Sequence, residues 1–136
     1  MALRKRRPGL VYPVRENWIV VGSGGSAPAF ATGWDNASAT YYPKMAFRLR
    51  ETGIVDLVGC VDTDGTTAYI FTLPAGYRPL DALGIMPYTQ QRSGAKSGQL
   101  LVVDDIGRVF PTDGDLSGDT NYISGSFFLD SADAIP

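Results

Sequence analysis

Apolar residues recur at every second position over most of this chain, and turn-forming residues interrupt the alternation at short intervals. Phe47 and Leu49 alternate with Arg48 and Arg50, so one pair faces inward and the other faces solvent or a subunit contact. In the next segment Val55, Leu57, Gly59 and Val61 share one face, while Ile54, Val58 and Cys60 make the other face apolar as well, interrupted by Asp56. A strand covered on both sides is central in a sandwich, or it packs its second face against another copy of the chain. Phe127 and Phe128 point to opposite faces by the same rule, so one enters the core and the other needs a partner or a covering loop.

The spacing predicts strands over Trp18–Val21, Ala29–Trp34, Met45–Arg50, Ile54–Val61, Thr67–Thr72, Leu83–Gln91, Gly98–Val103, Arg108–Pro111 and Tyr122–Leu129. No window has the 3.6-residue period of an amphipathic helix. Hairpin turns are expected at Glu51-Thr52-Gly53, Asp62-Thr63-Asp64-Gly65, Asp104-Asp105-Ile106-Gly107 and Thr112-Asp113-Gly114-Asp115. The polar segment Gln90 to Gly98 reads as an exposed hairpin tip. Short strands without helices need two layers to cover their apolar faces, which predicts an all-β fold, an antiparallel, jelly-roll-like β-sandwich. With 136 residues the chain fits one domain burying roughly two-thirds of its unfolded surface, expected over residues 17–136.

Charge separates the first sixteen residues from that body. The net charge is −2, yet Arg4, Lys5, Arg6, Arg7 and Arg15 are five of the twelve bases. Beyond Glu16 seven bases face thirteen acids, a net of −6. The Pro8-Gly9 and Tyr12-Pro13 steps discourage helix, so residues 1–16 read as an extended basic arm that lies along an acidic neighbouring subunit. Nucleic acid is disfavoured as a partner, because the phosphate backbone would repel the acidic body. No apolar run is long enough to cross a bilayer, and the basic start lacks the apolar block of a secretion signal, so no membrane insertion is expected.

The nine residues Phe71-Thr-Leu-Pro-Ala-Gly-Tyr-Arg-Pro79 end an apolar strand with a rigid, aromatic exit. Pro74 and Pro79 fix φ and remove two donors, Gly76 permits a left-handed turn, and Leu73 and Tyr77 can bury. With the Gly33-Trp34 pair and the neighbouring strands, this stretch resembles bacteriophage tail-fibre and minor tail proteins, in which an LPAGYRP-like segment, here Leu73, Pro74, Gly76, Tyr77, Arg78 and Pro79, follows a strand. The resemblance implies a virion structural protein, a homotrimer about a threefold axis, docked by its arm onto other virion proteins of the tail. Brevity and the arm suit equally a capsid decoration protein or head fibre that clamps an acidic capsid.

The chemical inventory argues against catalysis. There is no histidine, which excludes a Ser-His-Asp triad, a Cys-His pair and a His-ligated zinc site within one chain. The single cysteine, Cys60, reads as a buried free thiol. Twelve of the fourteen acids are aspartates, mostly in turns, and no cofactor is expected. Asp62-x-Asp64 and Asp113-x-Asp115 with Asp119 have calcium-like spacing but no Glu to complete a loop, so the reading is capped turns and no metal. The stretch Gly22-Ser23-Gly24-Gly25 follows an apolar strand but precedes no helix, which makes it a surface connection rather than a phosphate loop.

Aromatic residues offer a different function, binding of a host surface glycan or a free lectin activity. Trp18 and Trp34 are expected in the core. Tyr41 and Tyr42, in the polar Asn36–Pro43 loop, are the candidate receptor contacts.

Overall fold

A computed structural model describes residues 17–38, 42–50, 53–63, 69–79, 84–92, 95–111 and 120–129. Among the described residues every element is a strand: β1 (Ile19–Val20), β2 (Trp34–Asn36), β3 (Ala46–Leu49), β4 (Ile54–Thr63), β5 (Phe71–Thr72), β6 (Gly84–Arg92), β7 (Ala95–Val103), β8 (Arg108–Pro111) and β9 (Asn121–Phe128). All pairings are antiparallel, and the strands follow the order β1-β3-β4-β9-β6-β7-β8-β5, with β2 beside the far half of β4. The meander β6-β7-β8 with β5 returning beside β8 is a Greek key. The expected antiparallel β-sandwich is what the chain forms; residues 1–16, including Arg4, Lys5, Arg6, Arg7 and Arg15, lie outside the described part.

The sandwich is one strand path folded over a single core. Phe47, Val55, Leu57 and Val61 from β3 and β4 share a buried cluster with Phe71, Leu101, Val103 and Val109 from β5, β7 and β8. Phe47 and Phe71, near opposite ends of the path, stack with centroids 6.0 Å apart. The path ends are joined by the return of residues 28–31: the Gly22 amide donates to the Pro28 carbonyl at 2.8 Å, and Phe30 bridges Phe71. Tying the edges together removes a row of open backbone groups that would invite strand addition.

Alternation holds along the best-patterned strands. In β4 the odd positions Val55, Leu57 and Val61 enter the core, which leaves the even positions Asp56, Val58, Cys60 and Asp62 on the outer face. In β9 Phe127 is buried and Phe128 is 53% exposed, as the opposed pair predicts. Gly59, at φ +149°, lies where the incoming backbone crosses: a Cβ there would sit 2.3 Å from the Met45 Cα. Only glycine admits that approach.

Four expectations need correcting. Ala29–Trp34 does not form a strand; Phe30 makes a lone bridge, and a turn closed by the Trp34 amide on the Ala31 carbonyl, 3.1 Å, precedes β2. Asp62 and Thr63 are not a turn, because β2 pairs with β4 as far as Thr63 and prolongs it. The Gln90–Gly98 tip shrinks to two residues, since β6 and β7 pair out to Arg92 and Ala95. Trp18 is 40% exposed, because β1 begins at Ile19 and the ring instead covers the Arg48 guanidinium, 4.1 Å from its centroid. Trp34 is buried as expected.

Candidate functional site

The segment from Leu73 to Pro79 is built into one end of the sandwich. Gly76, at φ +94°, takes the left-handed position of a turn closed by the Tyr77 amide donating to the Pro74 carbonyl at 3.1 Å. The turn returns Tyr77 edge-on to Phe47, centroids 5.0 Å apart, and lets the Arg78 Nε donate to the Leu73 carbonyl at 2.8 Å. Pro79 is buried, and Leu73 is fully so. The same segment receives the β7–β8 hairpin: the Leu73 amide donates to the Gly107 carbonyl at 2.8 Å. That hairpin is fixed by Asp104, whose Oδ1 accepts from the Ile106 and Arg108 amides and whose Oδ2 meets the Arg108 Nε at 2.8 Å. These residues build the fold rather than display a binding surface.

The outer face of β3, β4 and β9 divides into two zones. Near the start of β4, Asp56 is 9% exposed and fully engaged: its Oδ2 lies 3.1 Å from the Nε of both Arg48 and Arg50, and its Oδ1 accepts from the Ser126 hydroxyl at 2.6 Å. The alternation placed Arg48 and Arg50 outward, but their partner is Asp56, directly opposite Arg48 in the register, rather than solvent. A buried carboxylate needs such partners.

Farther along β4 the same face opens into a groove of ≈ 590 Å³ above Val58 and Cys60, bounded by Tyr42, Pro43, Thr89 and Tyr122. The loop from β2 to β3 makes its wall. The Ala37 amide donates to the Cys60 carbonyl and the Cys60 amide to the Pro43 carbonyl, both at 2.9 Å, and the Met45 amide donates to the Asn36 Oδ1 at 2.7 Å. Tyr42 thereby meets Tyr122 edge-on at 5.6 Å, with their hydroxyls 3.1 Å apart. Tyr42 is half-buried rather than fully displayed, and its expected companion Tyr41 lies outside the described residues.

Cys60 is 3% exposed, and burial first, then the charge of Asp62, pushes its thiol above the ordinary 9.0. Asp62 lies one outward position beyond it and pairs across the ladder with Asp35, so two carboxylates stand opposite each other. The Asp62 Oδ1 is buried with no hydrogen-bond partner among the described residues. Asp64, Asp113, Asp115 and Asp119, the other residues with calcium-like spacing, lie outside the described part. Among the described residues no three His, Cys, Asp or Glu side chains are grouped to hold a metal ion, and no helix is long and apolar enough to cross a membrane.

Sequence reasoning singled out Tyr42 but missed Tyr122 as its partner and Val58 as part of the groove beside it. The available signal was the apolar outward pair Val58 and Cys60, which a solvent-facing strand would not need. No family model, no curated protein and no solved structure matches the chain.

Proposed function

We propose that the chain is a non-enzymatic bacteriophage virion structural protein, a trimeric tail-fibre-type module of the minor tail protein kind. It sits at the tail end, is held there by its basic arm, and touches the host surface through the loop of Tyr41 and Tyr42. The observation that carries this reading is the use of the Phe71–Pro79 segment as the plug of a strand-only body, with Tyr77 on Phe47 and Arg78 folded back on Leu73. Apolar groups on the outside support self-association: Phe128 is 53% exposed beside half-buried Ile54, and Leu100 is 48% exposed.

Localisation of the protein in a particle reconstruction tests it. Density at the tail end is the expected result; density at capsid lattice points would replace it with the decoration or head-fibre reading, which the opposed charges of arm and body favour. A free lectin is favoured only by the two tyrosines of the groove. Binding of purified protein to glycans, with no association with particles, would establish that reading instead.

A further inference from the structure

We propose that the outer-face groove is the seat for the N-terminal arm of a second copy of this chain. The inference rests on the self-associating reading above and takes the acidic neighbour of the arm to be another copy of the chain, in place of a different tail protein. The groove has an apolar floor, Val58 and Cys60, and an aromatic wall, Tyr42 and Tyr122; outside its lining, one outward position beyond Cys60, stands the carboxylate pair Asp62 and Asp35. One buried oxygen of Asp62 has no donor among the described residues. Such a site asks for an apolar segment with cations close to one end.

The chain contains one segment of that kind. Leu10-Val11-Tyr12-Pro13-Val14 is apolar, and Arg4-Lys5-Arg6-Arg7 precedes it. Leu10 is three residues from Arg7, a reach of about 10 Å when extended, whereas one outward position along β4 spans about 7 Å. With Leu10 to Val14 in the groove, the basic run therefore falls at the carboxylates. Pro13 lacks an amide donor, which suits a segment lying on a face rather than in a ladder.

Direction selects the second copy over the chain's own arm. Ile19 pairs with Phe47 and Phe47 with Leu57, while Val20 pairs with Ala46 and Ala46 with Val58. β1 thus runs parallel to β4, and the chain traced backward from Trp18 heads toward Ile54, away from Cys60. A chain continuing in that direction would run away from its own groove. Its net charge of +4, five bases and Glu16, matches a body of net −6 in the next copy.

Two measurements on the full chain test the proposal. In a Cys60→Ser background, Tyr12→Cys on the arm is combined with Ser124→Cys, an exposed position lining the groove. Mild oxidation is expected to give disulfide-linked species of two and three copies. Thiols that stay free would overturn the proposal, and a disulfide closed within one copy would do so by assigning the groove to the chain's own arm. The second measurement reads the groove itself: with Ser124→Cys as the sole thiol in the Cys60→Ser background, reversing Arg4, Lys5, Arg6 and Arg7 to Glu is expected to raise its alkylation rate roughly tenfold. An unchanged rate contradicts it. If the parent chain sediments as a trimer but the groove thiol is indifferent to the arm, only this inference falls; if the parent is a monomer, the trimeric reading falls too.

Discussion

The inner and outer faces of β4 are built from adjacent residues and obey different rules. Inward, Val55, Leu57 and Val61 meet a closed apolar cluster drawn from six other strands, including Phe71 and Val109 from the opposite end of the path. Outward, the strand passes from a satisfied carboxylate, Asp56, along the apolar floor of a groove, Val58 and Cys60, to Asp62, one oxygen of which has no donor among the described residues. A face that finishes its contacts within one copy holds the fold together. A face that leaves them unfinished is the one to which the proposal assigns a partner.

Truncation at neighbouring positions exposes that difference most strongly. Leu57→Ala removes a side chain 1% exposed and is expected to cost about 3 kcal/mol in urea unfolding, whereas Val58→Ala, half-buried in the groove, costs about 1 kcal/mol. Equal losses would mean that the outer face is packed like the core. The next largest contrast is between the two aspartates. Asp56→Ala strands Arg48 and Arg50 and is expected to cost about 2 kcal/mol, below the usual figure for a buried pair because Arg50 remains 37% exposed. Asp62→Asn relieves the repulsion with Asp35 and is expected to leave stability unchanged within about 0.5 kcal/mol. A large loss that persists when Arg4, Lys5, Arg6 and Arg7 are reversed to Glu would reveal a partner for Asp62 within the body.

How much of this was readable in the residues depends on how local the cause is. The Asp104–Gly107 hairpin, the opposed Phe127 and Phe128, and the strand from Ile54 are set by neighbouring residues, and each forms where the pattern places it. The insertion of β9 between β4 and β6 is not local: it is fixed by which edges remain open once the hairpins have formed. Trp18 looked like core for the same reason, since burial depends on what lies opposite and not on the residue. Tyr42 was visible as a loop aromatic, but the groove exists only because Gly59 lets the returning Lys44–Met45 backbone lie against β4.

The smallest effect concerns Cys60. Its folded thiol titrates above 9.0, so below pH 9.0 the protonated form is present in both states and its contribution to stability is complete. As pH rises past that value the unfolded chain ionises first, and the contribution is lost through the folded titration. Native alkylation should therefore show an inflection above 9.0, and Cys60→Ala should flatten the alkaline decline in stability slightly. An inflection at or below 9.0 would place the thiol in water rather than on the floor of a covered groove.

The central claim is that the unfinished outer face is completed by other copies of the chain, and its mass in solution tests this most directly. Sedimentation equilibrium at micromolar concentration and moderate salt is predicted to give three times the 14.6 kDa chain. A single species of one chain mass, unchanged as concentration rises, would contradict it.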